Sequence, residues 1–344
     1  MTDEVSGFAT VAVVGAGAVG CYYGAMLARA GHRVTLVGRP VHVQAVRAHG
    51  LRLQRAEGTE TVAVEASEDL VAVRGAALVL FCVKSTDTEA TARALAPHLA
   101  PQAVVLSLQN GVENAQLIAA RVTQTVIPAV VYVATEMAGP GQVRHHGRGD
   151  LVIGPREPAA APALAATLQA LARVFGAAGV PVRIDAEVMT ALWTKLLINC
   201  AYNAISALAQ APYGRVAAQP EIVALQQALV REAVAVAAAD GIGLPLPAML
   251  EAVAAIAPAM PGQRSSTAQD LARGRRSEID HLNGFIARRG AALGVPTPIH
   301  QTLHALVRLV EAGFEPAPAQ RLRVFRACPS NAPKGVRSRR KAQP

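Results

Sequence analysis

The sequence predicts an α/β protein in which an N-terminal doubly wound parallel sheet is followed by an all-helical C-terminal domain. Short apolar, β-branched runs alternate with helical stretches through the first half of the chain, which is typical of a parallel sheet covered by helices. Beyond residue 186 the alternation stops and long Ala/Leu/Val-rich helical stretches take over. The chain has 344 residues, enough for two domains of about 150 residues each.

The first elements show the pattern most clearly. The run 11–14 is short, apolar and β-branched, and it ends at a glycine, as a buried parallel strand does. A helix is predicted from Ala18 to Ala30, because Gly31 follows it as a C-cap signal. Further strands are predicted over residues 33–37, 78–83, 104–108, 126–133 and 182–184, and further helices over 86–95, 112–120 and 159–178.

Glycines punctuate residues 142–153, so a hairpin added to the sheet is predicted there. The predicted division of the chain is a dinucleotide-binding sheet domain over 1–186, a helical substrate domain over 187–315 and a basic, disordered tail over 316–344.

Composition excludes several classes of protein. With 52% hydrophobic and 17% charged residues, the chain is not intrinsically disordered. The apolar runs are interrupted by Gly, Pro or charge before about 18 residues, so no membrane-spanning segment is expected. The cysteines are too widely spaced for a metal cluster or a secreted disulfide framework: Cys21, Cys82, Cys200 and Cys328. We therefore expect reduced thiols, no metal and a cytoplasmic protein.

The formal net charge of +9 is concentrated at the C-terminus. Five of the positive charges lie in the last eleven residues, at Lys334, Arg337, Arg339, Arg340 and Lys341. A basic tail can contact nucleic acid. The chain carries no helix-turn-helix, zinc-finger or aromatic stacking signature, however, so we expect no nucleic-acid partner.

A glycine motif follows the first predicted strand. Residues 15–20 read Gly-Ala-Gly-Ala-Val-Gly, directly before the first predicted helix. In this strand–turn–helix context the motif predicts a Rossmann-like dinucleotide site, formed by Gly15, Ala16, Gly17, Ala18, Val19 and Gly20. Gly15 would allow the tight turn, Gly17 the approach of a pyrophosphate and Gly20 the packing of helix on strand.

Arg39 stands at the end of the second predicted strand, where NAD-dependent proteins usually carry an acid for the ribose 2′-hydroxyl. No Asp or Glu occurs between Gly31 and Gly50. A guanidinium at this position suits a 2′-phosphate, so the sequence favours NADP(H) over NAD. A surface arginine without a ligand is the alternative.

Polar residues follow two more strands. Lys84 comes directly after Val83, and Asn110 follows Leu108 and Gln109. Ligands of open α/β sheets lie over the carboxyl ends of the strands, so both side chains are predicted to meet the cofactor or the substrate.

The helical half carries a polar stripe. Lys195, Asn199 and Asn203 are spaced i, i+4 and i+8 on one face of an otherwise apolar helix. Such groups need polar partners when they are buried. Further along, Ser277 and Asp280 resemble an N-cap signature, which would put Glu278 in the first turn of a new helix.

The ordered set of motifs resembles the ketopantoate reductase (2-dehydropantoate 2-reductase) family as far as about residue 315. The motifs are GAGAVG at 15–20, VK at 83–84, QNG at 109–111, K-x3-N-x3-N at 195–203, SS-x3-D at 265–270 and EID-x2-NG at 278–284. The resemblance implies NADPH-dependent reduction of the 2-keto group of ketopantoate to pantoate, on the path to coenzyme A.

The same resemblance implies roles for single residues. Lys195 would be the general acid, and Glu278 would help to orient the substrate oxygens. A small anionic 2-keto acid would be bound by Asn199, Asn203, Ser266 and Asn110. Lys84 and Asn110 would lie where cofactor and substrate meet.

One departure from the family keeps other interpretations open. Many relatives carry an asparagine after the proline that follows the K-x3-N-x3-N helix, whereas this chain has Tyr213. A related reductase of another 2-keto or hydroxy acid is therefore the main alternative, and a non-catalytic NADP-binding sensor is a second one. The sequence leaves the oligomeric state open, with a homodimer as one candidate.

Overall fold

The computed structural model describes residues 8–314, so the predicted basic tail lies outside the described residues. The N-terminal half contains ten strands and five α-helices. In chain order they are β1 Thr10–Val14, α1 Ala18–Arg29, β2 Arg33–Val37, α2 Pro40–His49, β3 Leu51–Arg55, β4 Gly58–Val62, β5 Glu65–Ser67, β6 Leu78–Phe81, α3 Thr88–Leu95, β7 Val104–Ser107, α4 Asn114–Ala119, β8 Thr125–Gly139, β9 Gln142–Ile153, α5 Ala161–Ala177 and β10 Val182–Ile184.

The strands form one mixed sheet in the order β4-β3-β9-β8-β7-β6-β1-β2-β5, with β10 paired to β9. The six neighbouring strands β8, β7, β6, β1, β2 and β5 are mutually parallel, and β9 runs antiparallel to β8. The predicted fold class, a Rossmann-like doubly wound sheet followed by helices, is confirmed.

The central strands are buried on both faces. Val13, Leu80 and Leu106 belong to the core under α1 and α5. Their neighbours Val79 and Val105 belong to a second core on the opposite face, under α3 and α4. Because successive side chains alternate between faces, a strand covered on both sides reads as a continuous apolar run, which is why these strands could be predicted.

The segment between β2 and β6 was not predicted. Strands β3 and β4 lie at the sheet margin and alternate buried with exposed residues, as in Leu51-Arg-Leu-Gln-Arg55. The edge strand β5 has three residues. The prediction of a hairpin within 142–153 was wrong: that segment is the single strand β9, and its partner is β8. The turn lies at 140–141, where Gly141 has a φ of +64°.

The second half is helical, as predicted. Its helices are α6 Val188–Ala209, α7 Tyr213–Ala217, α8 Pro220–Ala239, α9 Leu246–Ala254, α10 Ile256–Ala259, α11 Ser266–Ala272, α12 Asn283–Leu293 and α13 Pro298–Ala312. Helix α6 lies at the centre of this core, where Trp193 packs edge-on against Phe285 with ring centroids 5.5 Å apart. The domain boundary at residue 186 stays a prediction; it falls in the link between β10 and α6.

Two helices of the described part of the chain are long and apolar enough to cross a membrane, at Pro158–Ala177 and Pro220–Ala239. Each contains at least one charged residue, such as Arg173 in the first, and these charges interrupt the apolar runs of the sequence. Both helices also bury apolar side chains against the protein, for example Phe175 and Val230. Because core helices of soluble proteins have the same composition, this is weak evidence for a membrane protein.

Candidate active site

The glycine turn between β1 and α1 has the shape of a phosphate cradle. Gly15 has a φ of +107°, and a Cβ there would lie 2.6 Å from the backbone of Cys82. A Cβ on Gly20 would collide with the Gly15 carbonyl oxygen and lie 2.8 Å from Val13. At Gly17, by contrast, no described atom lies within 4 Å of the Cβ position.

Helix α1 begins at this open position. Its N-cap is Gly17, which has no side chain to cap the helix. The first N–H groups of α1 and the positive end of its dipole therefore face open space above the turn, an arrangement that suits a pyrophosphate. The residues present thus fit a bound dinucleotide.

Arg39 is the N-cap residue of α2 and is exposed. Its guanidinium lies 3.5 Å from His42 Nε2. Burial lowers the pKa of His42, and the charges of Arg39 and Arg275 lower it further. Arg275, from the helical half, therefore adds to the positive potential around this helix start, which the sequence alone did not indicate.

Lys84 connects the two halves of the chain. It follows β6, and its Nζ donates to Asp270 Oδ2 at 3.0 Å and to the Arg276 carbonyl at 2.9 Å. Burial raises the pKa of Asp270, and the neighbouring Lys84 opposes this rise. Lys84 thus lies beyond the carboxyl end of β6, as predicted, and there its ammonium binds two residues of the helical half.

Lys195 and Glu278 meet at Asn110. Lys195 Nζ donates to Asn110 Oδ1 at 3.0 Å and to the Val131 carbonyl at 2.6 Å. On the other side, Asn110 Nδ2 lies 3.5 Å from Glu278 Oε2, while Glu278 Oε1 accepts from the Ser85 N–H at 2.7 Å. The sheet half thus holds both side chains of the helical half.

Burial lowers the pKa of Lys195 to about 8. The negative charge of Glu278 opposes this shift, and the positive charge of Arg148 adds to it. The Nζ also lies 5.9 Å from the centre of the Tyr132 ring. An ammonium with this pKa is a stronger acid than an ordinary lysine, because desolvation disfavours the charged form.

Asn199 and Asn203 continue the stripe from Lys195 along α6. Asn203 is 3% exposed and Asn199 is half-buried, and within residues 8–314 neither side chain has a protein hydrogen-bond partner. The neighbouring helix α11 starts beside them, since Ser265 Oγ donates to the Asn203 carbonyl at 3.2 Å. Ser266, the next residue, is exposed.

Ser265 therefore supports the start of α11, whereas the exposed Ser266 side chain makes no hydrogen bond within the described part of the chain. Ser265 caps α11 by accepting the Ala268 N–H at 3.0 Å. The predicted N-cap contact at Ser277 exists, since its Oγ accepts the Ile279 N–H at 3.2 Å, but the longer helix predicted after it does not. Ser277 donates to the buried Glu311 at 2.6 Å, a short 3₁₀ turn follows at Ile279–His281, and α12 begins only at Asn283. Asp280 is engaged by His304 instead, at 2.6 Å.

Sequence reasoning missed three residues that hydrogen-bond to Lys195, Asn110 or Glu278. Ser85 supplies a backbone N–H, Val131 supplies a carbonyl, and Asn114 holds the Asn110 turn from below. Backbone groups carry no residue-type signal. Asn114 could have been found from its position three residues after the QNG motif. There it begins α4, so its side chain lies close to the Asn110 turn.

Comparison with known proteins decides the family. The family model "Ketopantoate reductase PanE/ApbA" matches residues 11–158, and the model of its C-terminal part matches residues 187–311. The chain belongs to the ketopantoate reductase family. The resemblance predicted from the motifs is thereby confirmed, and the protein is an oxidoreductase of a dinucleotide-dependent family.

Similar proteins span the same length as this member of the ketopantoate reductase family. A 2-dehydropantoate 2-reductase of Halobacterium salinarum is 35% identical over 304 residues, covering 88% of this chain and 98% of the relative. The crystal structure of a PanE/ApbA family ketopantoate reductase from Ralstonia eutropha is 58% identical, with a TM-score of 0.82 and coverage of 88% and 98%. A D-mandelate dehydrogenase solved with NADH and anilino(oxo)acetate shares the fold at 24% identity, with a TM-score of 0.83 and coverage of 89% and 99%.

Proposed function

We propose that this protein reduces 2-dehydropantoate (ketopantoate) to pantoate with NADPH, using Lys195 as the general acid. The observation that carries the proposal is the position of the Lys195 ammonium. It is held between Asn110 Oδ1 and the Val131 carbonyl, 3.0 and 2.6 Å away, and its pKa is lowered to about 8. The names of relatives such as the Halobacterium salinarum enzyme support this substrate.

NADPH, when bound, supplies the hydride that the reduction needs. The pyrophosphate would be held by the turn from Gly15 to Gly20 and by the open N-terminus of α1. Arg39 would pair with the 2′-phosphate, which is the reason for preferring NADPH to NADH. Lys84 and Asn110 would lie at the nicotinamide end, since both follow carboxyl ends of central strands.

Lys195 would provide the proton. Reduction of a ketone places negative charge on its oxygen, and a donor already in place stabilises that charge. At neutral pH an ammonium with a pKa of about 8 is mostly protonated and gives up its proton more readily than an ordinary lysine does. Asn110 would fix the position of the Lys195 ammonium. The negative charge of Glu278 would stabilise its protonated form, because it opposes the lowering of the Lys195 pKa.

The substrate would lie along the α6 stripe. Among residues 8–314, the amide groups of Asn199 and Asn203 have no hydrogen-bond partner, and beside them Ser266 is exposed. These donors suit a carboxylate and a hydroxyl. Glu278 would orient the oxygens of the substrate from the opposite side.

The alternative is a related reductase of another 2-keto or hydroxy acid. It is supported by Tyr213, whose ring packs at 4.7 Å from that of Tyr202 instead of presenting an amide. A non-catalytic NADP-binding sensor is less well supported, because a sensor would not need a lysine whose pKa is lowered to about 8.

The test is oxidation of NADPH and of NADH with ketopantoate and a panel of branched and aromatic 2-keto acids. We expect the highest kcat/KM with ketopantoate and NADPH. A preference for an aromatic keto acid would support the alternative, and binding of NADPH without turnover of any panel member would support the sensor. We also propose a cytoplasmic location, in line with three free thiols in the described part of the chain, at Cys21, Cys82 and Cys200.

A further inference from the structure

A chain of buried polar side chains lies beneath the Asn110 turn. It consists of Gln109, Thr88, Asn114 and Ser85, each of which is less than a tenth exposed. Buried polar groups of this kind are costly unless all of them are satisfied, and a satisfied network fixes one arrangement. This network leads to the group that holds Lys195.

Each hydrogen bond in this network has a defined donor and acceptor. Gln109 Nε2 donates to Thr88 Oγ1 at 2.7 Å, so the Thr88 hydroxyl directs its own proton to Asn114 Oδ1, 2.8 Å away. The Asn114 amide is thereby oriented with its NH₂ towards the turn. Asn114 Nδ2 donates to the Asn110 carbonyl at 2.6 Å and to Ser85 Oγ at 3.2 Å.

The Asn110 carbonyl receives a second hydrogen bond, from Ser85 Oγ at 3.1 Å. The next residue, Gly111, has a φ of +93°, a conformation that glycine adopts readily. The backbone of the turn is therefore clamped from below, and the Asn110 side chain projects upward between Lys195 and Glu278.

We propose that Asn114 is a positioning residue of this enzyme: it fixes the backbone at Asn110 so that one amide holds the Lys195 ammonium and Glu278 together. The inference rests on the proposed roles of these two side chains. Asn114 lies one hydrogen bond further from the reaction and acts through Asn110.

The size-matched variant is Asn114→Asp, whose ionised carboxylate has no proton to donate to the Asn110 carbonyl. Thr88→Val keeps the shape of Thr88 and removes the hydroxyl that orients Asn114, so it covers the case in which Asn114→Asp does not fold. We expect kcat to fall about tenfold or more in Asn114→Asp, with little change in the Kd for NADPH. Gln226→Ala is the control, because Gln226 is a buried amide that donates to Ala201 O at 3.2 Å, away from the turn.

The deciding measurement is a double-mutant cycle with Asn110→Ala, on whichever 2-keto acid the wild type reduces. If Asn114 acts through Asn110, replacing it in the Asn110→Ala background has little further effect. Losses in kcat/KM that multiply across the two sites would overturn the proposal, because they would show that Asn114 acts independently.

A second readout needs no turnover, so it separates this proposal from the proposed function. The rate at which trinitrobenzenesulfonate labels Lys195 is followed by peptide mass spectrometry. We expect equally faster labelling in Asn110→Ala and Asn114→Asp and unchanged labelling in Gln226→Ala. Wild-type labelling in Asn114→Asp would overturn the positioning role, whereas failure of the wild type to reduce any keto acid would overturn only the proposed function.

Discussion

Lys195 and Asn110 come from different halves of the chain, yet the ammonium of Lys195 donates to Asn110 Oδ1 over 3.0 Å. This contact joins helix α6 to the loop that follows strand β7. It fixes an acidic ammonium at the carboxyl ends of the central strands, the edge at which a dinucleotide site is expected in such sheets.

The role of Lys195 predicts a separation between binding and turnover. Lys195→Ala should lower kcat by about a thousandfold, the typical contribution of a positioned proton donor, while NADPH still binds to the glycine turn. Steady-state kinetics and a fluorescence titration with NADPH measure the two effects. Wild-type turnover in this variant would remove Lys195 from the mechanism, and a parallel loss of NADPH binding would indicate a structural role instead.

The lowered pKa of Lys195 predicts the pH dependence of the reduction. The general acid must be protonated, so kcat/KM should be constant below its pKa and should fall as the pH rises through about 8. Arg148 lowers this pKa, so Arg148→Asn should move the decline to higher pH. Asparagine is chosen because Arg148 has a φ of +59°, which Asn tolerates. A profile that rises above pH 8 would contradict the assignment.

The guanidinium of Arg39 predicts the choice of cofactor. Arg39→Ala should raise the KM for NADPH about tenfold or more and leave the KM for NADH nearly unchanged, because one charge-assisted contact to the 2′-phosphate is lost. Arg33→Ala is the control, since Arg33 is exposed at the opposite end of the same strand. Equal effects of Arg39→Ala on the two cofactors would exclude a contact with the phosphate.

Two glycines of the turn predict opposite consequences of the same substitution. Gly20→Ala should destabilise the protein by about 3 kcal/mol or more, because its Cβ would collide with the Gly15 carbonyl. Gly17→Ala should fold normally, since its Cβ meets no described atom within 4 Å, but it should bind NADPH more weakly. Urea denaturation and NADPH titration separate the two. Unchanged NADPH affinity in Gly17→Ala would place the pyrophosphate elsewhere.

The sequence predicted what depends on local pattern. The central strands β1, β6 and β7 are apolar on both faces, and the polar stripe from Lys195 to Asn203 follows directly from the helical repeat. Strands β3 to β5 escaped prediction because exposed residues such as Arg52 and its cross-strand partner Thr61 interrupt the apolar pattern.

Contacts across the two halves of the chain could not be predicted from the sequence. Lys195 and Asn110 are 85 residues apart in sequence, and Lys84 was placed correctly at a strand end but without its partner Asp270. The Val131 carbonyl and the Ser85 N–H are backbone groups, which only the folded chain reveals. The family motifs supplied the residue types, and the fold supplied their mutual orientation.

The contact between Glu278 and the Ser85 N–H has a consequence for how the two halves of the chain are held together. Together with the Lys84–Asp270 pair it ties the helical half to the sheet half, so any separation of the two halves must break both contacts. Separation of the halves also withdraws Lys195 from Asn110. The Lys195 ammonium therefore keeps its Asn110 partner only while the two halves of the chain stay in contact.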